Sequence, residues 1–119
     1  MTPFGKAIRH HRIEHEMLLG EMAEVLGVSP SYLSQIETGK KPIPGDMTAK
    51  IAGLFELDGA ALSALREAEA ASTTEFKIRL GAASSIKDRI IANEFSHEFA
   101  RLTPEAKERI QRIVRGEEG

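Results

Sequence analysis

Apolar residues recur at helical spacing through the first 71 positions. Phe4 and Ile8 lie one turn apart, and His11 or Arg12 continues the same side, which predicts a helix over residues 3–15. Thr2 is its expected cap, and Pro3 suits the first helical position because it has no N–H to leave unpaired. Met22, Ala23 and Leu26 predict a second helix over 19–26, closed by Gly27. Ser29-Pro30 restarts a third, again with a hydroxyl cap before a proline, and Thr38-Gly39 ends it. The loop over 39–45 is rich in Gly and Pro. Asp46 and Asp58 are the expected caps of a fourth helix, with Met47, Ile51, Leu54 and Phe55 inward, and a fifth, with Leu62 and Leu65 inward, reaching about Ala71.

Past Ser72-Thr73-Thr74 the pattern changes. Phe76, Ile78 and Leu80 alternate with polar residues, which predicts a short strand over 76–80. Ile86, Ile90, Phe95, Phe99 and Leu102 predict a helix over 86–101. Thr103-Pro104-Glu105 opens another, with Ile110, Ile113 and Val114, and residues 116–119 are expected to fray. The fold class is therefore all-α: a bundle of five helices over 1–71 and a mainly helical extension over 72–119.

Composition narrows the function classes mostly by exclusion. There is no cysteine, so disulfides and thiolate metal sites are out. No apolar run approaches the ~20 residues of a membrane helix, and residues 1–6 lack the apolar core of a signal peptide, which together predict a cytoplasmic protein. The net charge of -2 does not advertise a nucleic-acid binder. Residues 1–45 balance five basic against five acidic side chains, 46–71 carry two and five, and 72–119 carry nine and eight. Phosphate binding depends on local charge, so the case for DNA has to rest on motifs.

The informative stretch is Leu19 to Glu37. Two short helices with almost no connection must cross steeply, which needs a small residue at the approach (Ala23) and one that tolerates positive φ in the turn (Gly27). Met22, Leu26, Val28, Leu33 and Ile36 supply buried aliphatics at fixed offsets, leaving the other face of the second helix free to enter a major groove about 12 Å wide. With A-E-V-L-G-V-S, S-Q-I-E-T-G-K-K-P and K-I-A-G-L-F, the chain resembles the Cro/cI-type (XRE) helix-turn-helix regulators over roughly residues 4–66. That resemblance implies a lambda-repressor-like five-helix DNA-binding bundle and a repressor, mostly dimeric, on near-palindromic operators. It implies base contacts from Ser29, Pro30, Ser31, Tyr32, Ser34 and Gln35, with Gln35 suited to pair bidentately with adenine. It implies backbone contacts from Thr38, Lys40 and Lys41, which position without specifying. Arg12 and Glu37 match a structural pair linking the first helix to the end of the third.

The chain departs from the family at two places. Leu18 and Leu19 stand where the family commonly has Ser or Thr followed by Gln, removing a cap and a phosphate contact. Glu16 stands where it usually has Gly, and because a non-Gly residue at positive φ costs energy, the exit of the first helix is expected to be shaped differently. His11-Arg-Ile-Glu-His15 formally matches a zinc-peptidase pattern, and His10 joins the cluster. A third ligand is not obvious and the chain is short for a peptidase cleft, so we read a solvated helix face and expect no enzyme activity, metal or cofactor. In the extension, Phe76, Ile78, Leu80, Ile90, Phe95 and Phe99 are candidates for a homodimer interface. The alternative is an antitoxin-type autorepressor whose C-terminal segment grips a toxin or other protein partner.

Overall fold

The computed structural model describes residues 1–117. It divides into two compact units, Met1–Phe76 and the residues from Lys77 on. The first holds five helices: α1 (Pro3–Glu14), α2 (Leu19–Leu26), α3 (Pro30–Thr38), α4 (Met47–Leu54) and α5 (Gly59–Ala71). The second holds α6 (Ile86–Glu98), a single 3-10 turn (Phe99–Arg101) and α7 (Pro104–Val114).

Local chemistry explains most of the boundaries. The Thr2 hydroxyl accepts from the Gly5 N–H and starts α1. The Ser29 hydroxyl accepts from the Tyr32 N–H at 3.1 Å and starts α3. Thr103 does the same for α7 toward Ala106. Gly27 (φ +74) and Gly39 (φ +84) end α2 and α3 in the left-handed region, where a Cβ would cost about 1–2 kcal/mol. Glu16 adopts φ +49 and Glu56 φ +54, both in the left-handed region without a glycine.

The five helices enclose one core. Phe4, Ile8, Met22, Leu33, Ile36, Ile51 and Leu65 are fully buried, and Ala23, Leu26, Met47 and Phe55 complete the cluster. Two polar ties reinforce it. The Thr48 hydroxyl donates to Glu69 at 2.8 Å, joining α4 to α5. The Ser72 hydroxyl accepts from the Phe4 N–H at 2.9 Å, tying the end of α5 to the start of α1.

The second unit has a different character. None of its described residues is buried. Phe95 is half-buried and meets Phe99 edge to face at 5.5 Å, and Lys107 sits 5.0 Å over the Phe99 ring. Ile86 and Ile90 lie exposed on α6.

Several expectations need correction. No strand forms at residues 76–80 or anywhere among the described residues; the alternation is real, but no other segment of the chain pairs with it. The helix expected over 86–101 ends at Glu98, and its last three residues tighten into the 3-10 turn. Neither Asp46 nor Asp58 caps its helix through the side chain. The Asp46 carboxylate instead pairs with Lys50 at 3.1 Å, and that hydrogen bond and charge hold its pKa below the ordinary carboxylate value. The fraying expected over 116–119 falls partly on Glu118 and Gly119, outside the described residues.

Candidate nucleic-acid interface

α3 is set on the bundle by its own apolar stripe. Leu33 and Ile36 are buried, and Tyr32 packs against the core from a half-buried position. The turn before it is drawn tight by the Val28 N–H, which donates to the Ala23 carbonyl at 2.9 Å. Ala23 itself has no exposed surface, as a close approach of α2 and α3 requires. These restraints turn the opposite side outward. Ser29, Pro30 and Ser31 are exposed at its N-terminal end, and Ser34 and Gln35 are half-buried farther along.

The basic loop is fastened to the same helix. Past Gly39 the backbone N–H groups of Lys40 and Lys41 both donate to the Gln35 carbonyl, at 2.8 and 3.2 Å. Both lysines are exposed, so two positive charges stand at the C-terminal end of α3. Thr38 is exposed too, and its hydroxyl donates back to the Ser34 carbonyl at 3.1 Å, leaving oxygen lone pairs and no free proton. The residues from Ser29 to Lys41 thus combine hydroxyls, one amide and two ammonium groups along one helix and its exit.

Behind this surface, α1 holds the end of α3. The Arg12 Nη2 donates to Glu37 Oε2 at 3.1 Å, and both side chains are largely buried, 13% and 5% exposed. Three contacts that sequence reasoning missed support the pair. The Thr2 N–H and hydroxyl both donate to the Glu37 carbonyl, at 3.2 and 3.1 Å. Gly5 lies so close that an added Cβ would sit 2.0 Å from that oxygen. The one available signal was Gly5 itself: a glycine inside a helix costs roughly 0.5–1 kcal/mol against alanine, and so asks for a packing reason.

The start of α2 is built differently from the family pattern. Leu18 is exposed and offers no cap, and Leu19 turns toward the core. The Glu21 carboxylate instead accepts from the Leu18 N–H at 2.9 Å. A negative charge therefore occupies the helix start.

The histidines face elsewhere. His11 and His15 stack on Phe55, with ring centroids 5.8 and 4.5 Å away, and His10 pairs with Glu14 at 3.1 Å. Burial, then the neighbouring His10, lowers the His11 pKa below its ordinary value. His11 is half-buried against Phe55 and His15 is exposed beside it. Of the interface candidates in the extension, Phe76, Ile78, Leu80, Ile90 and Phe99 are exposed, and Phe95 is the half-buried exception.

Among known proteins, a family model described as a helix-turn-helix domain matches residues 3–65, more than half of the chain. No curated protein and no solved structure matches the chain.

Proposed function

Since the chain belongs to the helix-turn-helix domain family of XRE-like regulators and is a DNA-binding regulator by that membership, we propose that it is a dimeric repressor reading a near-palindromic operator with α3 in the major groove. The observation that carries this reading is the union of an outward α3 face with two lysines pinned at its exit. Gln35 reads a base edge there, because its amide matches the donor–acceptor pair that adenine presents. Ser31 and Ser34 add less selective hydrogen bonds, Ser29 and Pro30 lead the helix into the groove, and Tyr32 lies along its side. Thr38, Lys40 and Lys41 grip the sugar-phosphate backbone and fix the register. Repression follows from occupancy, as a bound dimer denies polymerase the same DNA.

A two-fold dimer sets two recognition helices about one helical turn, ~34 Å, apart. Selection from a random duplex pool should therefore enrich an inverted repeat with half-sites spaced by about 10 base pairs. Enrichment of a single half-site would remove the dimer from the reading. No enrichment at all would remove sequence-specific recognition.

A further inference from the structure

We propose that Thr2 is a positioning residue for DNA binding: through Glu37 and Gly39 it holds the turn that carries Lys40 and Lys41 to the phosphates. The inference rests on the reading of those two lysines as backbone contacts and names what fixes them.

A helix leaves its last carbonyls without partners inside the helix. In α3 the chain just beyond serves two of them. The Gly39 N–H donates to the Ile36 carbonyl at 3.2 Å, and the Lys40 and Lys41 N–H groups both donate to that of Gln35. Such a reversal past a left-handed glycine ends the helix sharply. It also diverts the Lys41 N–H, which would meet the Glu37 carbonyl if α3 wound on. Thr2 takes that place. Its N–H and its hydroxyl reach the Glu37 carbonyl at 3.2 and 3.1 Å, from 35 residues away in the chain.

The Thr2 methyl closes the same turn from outside. A Cβ at Gly39 would lie 2.8 Å from Thr2 Cγ2, so the methyl rests against the glycine that reverses the chain. Thr2 is itself fixed, since its hydroxyl oxygen accepts from the Gly5 N–H at 3.0 Å while its proton goes to Glu37. The hydroxyl therefore does two jobs: it caps α1 and it keeps α3 from winding on. Without that proton the Glu37 carbonyl loses one of its two Thr2 donors, and the Lys41 N–H becomes a competing partner. Drawing Lys41 in would lengthen the helix and carry both lysines off the positions that the Gly39 turn gives them.

Substitutions separate the two jobs. Thr2→Ser keeps both hydrogen bonds of the hydroxyl, and Thr2→Val keeps the branched shape and loses both. Ser72→Ala is the control for stability alone: it frees the Phe4 N–H at the start of α1, and the partners of Ser72 lie on α1 and α5. The full-length variants are titrated against random duplex DNA by fluorescence anisotropy across a salt series, at a temperature where circular dichroism shows each one folded. Thr2→Val should lower the salt slope by about one to two, the share of the two lysines. Thr2→Ser and Ser72→Ala should keep the wild-type slope. In the free protein, Thr2→Val should also speed hydrogen exchange at the Lys40 and Lys41 amides several-fold relative to that of Phe55 in the core. From the other side, Gly39→Ala should lower the slope, and adding Thr2→Ser should restore part of it, because serine has no methyl for the new Cβ to meet.

A wild-type slope kept by Thr2→Val would overturn the proposal and leave the lysine reading intact, with Thr2 a cap alone. Equal losses from Thr2→Val and Ser72→Ala would overturn it as well, reducing Thr2 to stability. No recovery in the Gly39→Ala pair would overturn it whether or not Thr2→Val folds. Wild-type binding that ignores salt would overturn the lysine reading itself, and the proposal with it.

Discussion

Glu37 is where one residue's chemistry reaches the end of α3. Its carboxylate meets Arg12, and its carbonyl receives both donors of Thr2. The pair is incompletely satisfied, because the Arg12 Nε is buried with no hydrogen-bond partner. A buried ion pair of this kind is costly to break and cheap to replace. Arg12→Ala alone should therefore lose about 3–5 kcal/mol in chemical denaturation, because Glu37 keeps a buried, uncompensated charge. The double change Arg12→Met with Glu37→Leu should recover most of that loss. Equal losses from the single and double changes would show that the pair contributes through attraction and not through avoided desolvation. The pairing of Arg12 with Glu37 was legible through the resemblance. The ties of Thr2 to the Glu37 carbonyl and of Ser72 to the Phe4 N–H were not, because they depend on which backbone passes close by, and local sequence does not encode that.

At the scale of elements, the hydroxyl caps named from sequence are found, the Ser85 hydroxyl that caps α6 was missed, and the acidic caps do not form. Thr2, Ser29 and Thr103 cap as expected. Asp46 has a lysine one turn ahead, and its carboxylate goes there. The segment over 76–80 shows a second limit: alternation encodes a face, but a strand exists only beside another strand. The start of α2 offers a direct test of capping. Leu18 occupies the N-cap with extended backbone and no side-chain hydrogen bond, while the Ser29 hydroxyl supplies that bond for α3. Leu18→Ser should stabilise the protein by about 1 kcal/mol, the usual worth of a hydroxyl cap. In a domain of this size that is a rise of roughly 4–8 °C in thermal midpoint. An unchanged or lowered midpoint would contradict this, because the bond Glu21 makes to the Leu18 N–H serves a different donor from those a hydroxyl at the cap would serve.

The molecule as a whole combines a well-packed unit with one that has no core of its own. The first was legible in nearly every element because each helix buries a stripe against the others, and periodicity records that stripe. In the second, the two helices and the Thr103 start were legible, while the strand expected over 76–80 does not form. No helix among the described residues is long and apolar enough to cross a membrane. With Arg12 committed to Glu37, Lys40 and Lys41 are the exposed cations at the exit of α3. The most direct measurement is fluorescence anisotropy on the selected operator and on random duplex, across a salt series, for wild type, Gln35→Ala and Lys40→Ala with Lys41→Ala. Gln35→Ala should lose about 1–3 kcal/mol on the operator and almost nothing on random DNA. The lysine pair should weaken both alike and lower the salt slope by roughly two. Equal losses on both DNAs for Gln35→Ala, or binding that ignores salt, would contradict α3 as the reading helix.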